Sequence, residues 1–286
     1  MPRGLRPGRV PRHMPRRILG VDFSGANDAG RKIWIAEGRR DRGNRLTLVD
    51  LRAASQLPNG GVDPATAIAA LAEHIVKEPD TLAGCDFPFS LPKQLIDERR
   101  WTTFAGRFSD RFADADTFRA WAMQRTGGRE IRRACDRAAK TPFNSYNLRI
   151  YRQTWWGIAH LLGPLARSRR AVIHPFQPLP SQPCPIVIEA CPACSLKSID
   201  FYPQYKGRDA AHRRRRKAVL SKLIDSDLLA PPESSFRRIL IENTGGDALD
   251  AVIAAVTTAY AEMESESAPD DRLEGTIYGT LPRPFS

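Results

Sequence analysis

Cysteine is scarce in this chain: five residues in 286, namely Cys85, Cys135, Cys184, Cys191 and Cys194. So few, odd in number and scattered, do not make the disulfide framework of a secreted domain, and they predict a reducing, cytoplasmic compartment. No apolar run is long enough to cross a membrane and no signal-peptide core follows the N-terminus, so neither a span nor a secretory leader is expected. The five histidines lie beside no Ser or Cys in a recognisable nucleophile motif, although a triad assembled across the fold would leave no such local trace. Acidic side chains are outnumbered as well: 32 Asp and Glu against 44 Lys and Arg, a net charge of +12. That balance predicts anionic partners, with nucleic acid first. Much of the excess sits in two runs, MPRGLRPGRVPRHMPRR at the N-terminus and Arg213, Arg214, Arg215, Arg216 and Lys217 further on.

What is present is an ordinary globular composition, 42% hydrophobic and 27% charged. Residues 1–17 are rich in Pro, Arg and Gly without periodicity and read as a disordered basic tail. One domain is expected over residues 18–286. Ile18, Leu19 and Val21 form a short buried strand that ends on Asp22 before a Ser/Gly/Asn turn. RKIWIAEG and RLTLVDLRA follow as two strands of an antiparallel meander. Pro64 opens a helix carrying Ile68, Leu71 and Ile75 at helical spacing, and TLAGCD is a fourth strand that closes on Asp86. A right-handed crossover through that helix places the fourth strand parallel to and beside the first.

Residues 93–180 read as a helical insertion, with Phe108, Phe112, Phe118 and Trp121 as core anchors. The sheet resumes at CPIVIEACPA, which delivers Glu189. A basic helix follows, and its arginines, placed in a first turn, oppose the helix dipole and so suggest more than a structural role. Near the C-terminus Ile239, Leu240 and Ile241 look β-like, Gly245 and Gly246 break the run, and a last helix opens with Asp247 and Asp250 one turn apart on one face. The predicted architecture is α/β: a mixed five-stranded sheet with helices on both faces and a helical insertion between strands four and five.

Asp22, Asp86 and Glu189 at strand ends, with Asp247 and Asp250 on the helix, are thereby expected at one edge of the sheet, where open α/β sheets bind ligands. Clustered carboxylates repel one another and lose solvation, and a divalent cation relieves both. An oxygen-rich, thiol-free set suits Mg²⁺ or Mn²⁺. Two such ions clamp the attacking and leaving oxygens of a phosphoryl displacement. By position, Asp22 would bridge two ions while Glu189 and Asp247 or Asp250 each hold one. Lys206 and Arg213–Arg216 are candidates for orienting a strand or stabilising its charge.

The element order, Asp22 in GVDFSG, Asp86 in GCDFPFSLP, Glu189 in IVIEACP, the YKG motif (Tyr205, Lys206, Gly207), the DALDAVIAA helix and the closing EGTIYG resemble the RNase H-like superfamily. More closely they are similar to the domain-of-unknown-function family numbered 429, a group of predicted RNase H-like nucleases. The resemblance spans most of residues 17–280. It implies a metal-dependent phosphodiesterase site built from Asp22, Glu189, Asp247 and Asp250, with Asp86 close by. The basic N-terminal extension and the CPACS after Glu189 depart from the family pattern.

Competing readings are a non-catalytic nucleic-acid-binding protein of the same fold and an ATP-using relative of the actin and sugar-kinase type. The second needs a duplicated domain with its own phosphate hairpin, which this chain lacks. GANDAGRK is set aside as a phosphate loop because its lysine is displaced and it leads into a strand. Cys184, Cys191 and Cys194 supply a partial zinc set that needs His174 or His212 as a fourth ligand; small buried cysteines are the plainer reading.

Overall fold

The first strand, β1 (Arg17–Asp22), is buried along its whole length. That is the position its near-continuous apolar run RILGVD demands, since a strand covered on both faces cannot alternate with polar residues. In the computed structural model, which describes residues 17–41, 43, 45–263 and 271–282, β1 lies at the centre of an open sheet. A one-turn helix, α1 (Ala29–Lys32), leads to β2 (Trp34–Arg40) and β3 (Leu46–Ala53). These two strands complete an antiparallel meander from β1. Helix α2 (Pro64–Val76) starts where Asp63 accepts a hydrogen bond from the backbone N–H of Thr66, with proline in the first turn. It crosses over to β4 (Thr81–Asp86), which pairs with β1 in parallel, as the element order predicts.

The insertion follows as α3 (Trp101–Arg111), α4 (Ala115–Arg125), α5 (Ala134–Ala138), α6 (Tyr151–Trp156), a π-helical segment Gly157–Leu162, and α7 (Gly163–Ser168). The expected aromatic anchors pack there: Phe108, Phe112 and Phe118 are buried, with Phe112 against Phe118 and Trp121 at centroid distances of 5.5 and 4.9 Å. The chain then returns through β5 (Val172–Ile173) to β6 (Ile186–Ala190), α8 (Pro192–Ser198), α9 (Ala210–Asp225), α10 (Ser234–Glu242), α11 (Asp247–Ala259), α12 (Asp271–Glu274) and β7 (Ile277–Tyr278).

The strand order is β3-β2-β1-β4-β6-β5, with β7 also pairing with β6. Among the described residues the sheet therefore has seven strands rather than the five expected. The two additions are only two residues long each, and they pair with opposite ends of β6. Pieces that short leave no periodic signal in sequence.

One core lies on each side of the sheet. Leu19, Val21, Cys85 and Val187 face α2 and the insertion, while Ile18, Leu82 and Ile188 face α11. Leu249, Val252, Ile253 and Val256 of α11 are fully buried, each worth about 1.5–3 kcal/mol over exposure. Two glycines let α11 lie directly on the strands. A Cβ on Gly20 would stand 2.0 Å from the Ala255 nitrogen, and one on Gly84 would stand 1.8 Å from Thr258 Oγ1.

Two local expectations are corrected. Ile239, Leu240 and Ile241 belong to helix α10, not to a strand; SSFRRILIE places Phe236, Ile239 and Leu240 on one apolar side, and a three-residue apolar run cannot separate helix from strand. Arg17 does not belong to the tail: it opens β1, 1% exposed, and its guanidinium donates to Glu37 at 2.7 Å. The rest of the expected tail, residues 1–16, lies outside the described residues.

Candidate functional site

Asp22 and Asp86 are register partners at the ends of the parallel pair β1 and β4. Side chains alternate along a strand, so these two share the face of Gly20 and Gly84, the face on which α11 lies. Helix α11 is preceded by Gly246, its N-cap, whose φ of +82° is the left-handed conformation that glycine adopts without strain. Asp247 and Asp250 occupy its first turn. Against that turn lies the loop Phe201–Gly207, held by a hydrogen bond from the Gly207 N–H to the Thr244 carbonyl at 2.9 Å. The loop brings the Tyr205 hydroxyl to Asp250 Oδ1 and the Lys206 Nζ to Asp250 Oδ2, the latter at 2.5 Å.

The electrostatics follow from this crowding. Burial pushes the Asp22 carboxyl well above its usual value, and the negative charges of Asp250, Asp247 and Asp86 add to the effect against the opposing Lys206. Asp86 is pushed up to about 7 by burial and by Asp250, again against Lys206. Burial and Asp250 raise Asp247 in the same way. Burial alone would lower the Lys206 ammonium, but Asp250 and Asp22 outweigh it and hold the group above its ordinary value. Four aspartates thus share one lysine, and the raised affinity of Asp22, Asp86 and Asp247 for protons is the mark of negative charge without enough compensation.

Glu189 stands apart from this cluster. Its register partner on β4 is Cys85, not Asp86, so its side chain emerges on the opposite face of the sheet. There the fully buried Arg133 holds both its oxygens, at 2.6 and 2.8 Å, and the Phe89 N–H donates to it at 2.9 Å. Arg133 also donates to Asp136 at 2.8 and 3.1 Å and to the Glu274 carbonyl at 3.1 Å. All five guanidinium donors are directed at acceptors, which is how a buried charge is made tolerable. Burial raises the Glu189 carboxyl and Arg133 opposes that rise.

The expected set therefore divides. Asp22, Asp86, Asp247, Asp250 and Lys206 come together on one face, and Glu189 does not join them. Among the described residues, no three or more His, Cys, Asp or Glu side chains are arranged as they would be around a metal ion. The donor chemistry nevertheless suits a hard cation: carboxylate oxygens only, with a surplus of negative charge that a single half-exposed lysine balances incompletely.

The family described as Protein of unknown function (DUF429) matches residues 20–274. The chain belongs to DUF429. No match was found among curated proteins or among solved structures.

The basic run of this DUF429 chain is only partly a surface feature. Asp209 caps α9, its side chain accepting from the His212 N–H at 2.8 Å; Arg213 closes the first turn and Arg214, Arg215 and Arg216 lie beyond it, so the expected conflict with the helix dipole is reduced to one residue, which Glu242 pairs. Arg216 is buried and donates to the carbonyls of Ile241, Tyr205 and Gly207 at 2.8, 2.8 and 2.9 Å. It is removed from the candidate nucleic-acid contacts, because it ties the site loop to α10. Arg213 pairs with Glu242, Arg215 donates to the Gln204 carbonyl at 3.0 Å, and Arg214 and Lys217 are exposed.

Cys191 and Cys194 are joined as a disulfide, not kept as two buried thiols, which leaves no CxxC pair for zinc. Sequence reasoning missed Arg133 and Asp136, and it singled out Tyr205 only as part of the YKG motif, without a role at the site. The only available signals were an Arg-x-x-Asp spacing inside a stretch crowded with arginines, and the tyrosine preceding Lys206.

Proposed function

We propose that the chain is a divalent-cation-dependent phosphodiesterase acting on nucleic acid. The observation that carries this reading is the sharing of one lysine by four aspartates from three chain segments: Asp22, Asp86, and the Asp247 and Asp250 pair. A purely structural site would not gather them, since each added carboxylate raises the electrostatic cost. Asp22, Asp86 and Asp250 would hold the cation, Mg²⁺ or Mn²⁺, with Asp247 at the rim. Once bound, such an ion supplies Lewis acidity toward a phosphoryl oxygen and lowers the pKa of water. The four-ligand, two-ion arrangement expected from sequence included Glu189; with that carboxylate held by Arg133, the reading rests on the aspartates.

The chain's own residues would do the rest. Lys206 is tethered to Asp250 only at its tip and its side chain is 53% exposed, so it can turn toward a phosphate when a cation replaces it. Tyr205 fixes the rotamer of Asp250 by its hydrogen bond. The excess of 44 basic over 32 acidic residues favours a polyanionic substrate.

The test is hydrolysis of oligonucleotides and of bis(nitrophenyl) phosphate with Mn²⁺ or Mg²⁺. Wild type cleaves in either cation and not in chelator, and Asp22→Asn loses cleavage while keeping or raising its melting temperature. In parallel, Mn²⁺ at about a hundred times its Kd stabilises wild type by about 2.7 kcal/mol and leaves Asp22→Asn unmoved. Cation-independent stability, or full cleavage by Asp22→Asn at matched purity, defeats the reading. Salt-sensitive binding of nucleic acid without turnover supports the non-catalytic alternative instead.

A further inference from the structure

We propose that Tyr202 is a stacking platform for an unpaired nucleobase beside the aspartate cluster, which makes single-stranded nucleic acid the substrate class; this rests on the phosphodiesterase reading. Among the described residues, Tyr202 is the one aromatic side chain among the exposed large hydrophobics, at 51% exposure. The others, Val49, Val62 and Leu148, lie in separate stretches of the chain. Half of this ring is left open to solvent, so its place relative to the site decides what the open part can meet.

That place is held from both sides. Phe201 packs against the core formed with α11, and Tyr205 is buried with its hydroxyl on Asp250. The Tyr205 ring meets the Tyr202 ring edge-on at 6.5 Å and 87°. Tyr202 is near enough to the cluster that Asp250 and Asp86, after burial, raise its phenol while Lys206 opposes them. The ammonium of Lys197 stands 5.3 Å from its ring centroid, where it can meet the phosphate next to a stacked base. A base turned onto this ring would leave its own phosphodiester link beside Lys206 and Asp250. A duplex keeps its bases stacked inside and has none to offer.

The experiment uses the full chain in chelator, so that nothing is cut, and titrates it with a short single strand carrying a fluorescent aminopurine and with the blunt duplex of the same sequence. Wild type binds the single strand more tightly than the duplex and quenches its fluorescence. Tyr202→Ala lowers single-strand affinity about 5- to 100-fold, the range that one stacked base is worth, and leaves duplex affinity as it was. Tyr202→Trp restores both affinity and quenching. Unchanged single-strand binding by Tyr202→Ala, or a wild-type preference for duplex, overturns the proposal. Hydrolysis of bis(nitrophenyl) phosphate, which has no base to stack, separates the two levels. If wild type cleaves it, Asp22→Asn does not, and Tyr202→Ala still binds the single strand normally, stacking is wrong and the phosphodiesterase stands. No cleavage of the ester or of any oligonucleotide with either cation removes the phosphodiesterase, and the substrate class with it.

Discussion

One guanidinium, that of Arg133, holds both carboxylate oxygens of Glu189, at 2.6 and 2.8 Å, with both side chains buried. The pair joins the insertion to β6 on the side of the sheet away from α11. Its role is to fix the insertion to the sheet behind the aspartates, and removing one partner leaves buried charges uncompensated. Arg133→Met is expected to lose about 3–5 kcal/mol in urea denaturation, because Glu189 and Asp136 both lose their counter-ion. Glu189→Gln should cost clearly less, since an amide oxygen still accepts from Phe89 and Arg133. Equal stability of wild type and Arg133→Met would show that the network contributes nothing.

The sequence carried the sheet's centre and the aspartates well, for one physical reason: each of those features is local. A strand that ends on an acid before a turn, and a helix that opens on two acids a turn apart, can be read in a window of a few residues. The crossover rule then sets β4 beside β1, and Asp22 beside Asp86. Glu189 departs from the expected edge because the rule fixes neighbours but not pleat parity. A one-residue offset in register sends a side chain to the other face, and here Glu189 aligns with Cys85. The same limit hid Arg133, whose partners stand 56 and 141 residues away. Tyr202 stood in view, but nothing in FYPQYKG says which of its aromatics is buried.

The aspartate cluster should make the cation-free protein less stable as pH rises. The Asp86 carboxyl is pushed up to about 7 in the folded chain, mainly by burial and by Asp250, against an ordinary 3.8. Between those values the folded state holds a proton that the unfolded state has lost, so unfolding releases it and stability falls with increasing pH. The contribution is complete below about pH 4 and gone above about pH 7. In chelator, Asp86→Asn is expected to flatten the stability profile over that window and to gain about 1–4 kcal/mol at neutral pH. A profile as steep as that of wild type, followed by urea titration at successive pH values, would mean that Asp86 is not the group concerned.

Arg216 and Arg214 sit two residues apart in the same basic run, and the fold gives them opposite duties. Arg216 is 2% exposed and donates to three backbone carbonyls, two of them in the loop that presents Tyr205 and Lys206 to Asp250. Each charged hydrogen bond of that kind contributes about 1.5–3 kcal/mol, and the carbonyls left behind would be buried without a donor. Arg216→Ala is therefore expected to lose about 2–4 kcal/mol of stability and to loosen the loop, which hydrogen exchange at Tyr205 and Gly207 would register as lost protection. Arg214 is exposed, so Arg214→Ala should stay within about 0.5 kcal/mol of wild type. Its effect belongs to nucleic-acid binding, where removing one phosphate contact makes the logarithm of affinity fall less steeply with the logarithm of salt, by about one unit of slope. Were Arg214→Ala to leave the salt slope untouched, the exposed part of the run would be a solvated face with no part in holding a polyanion.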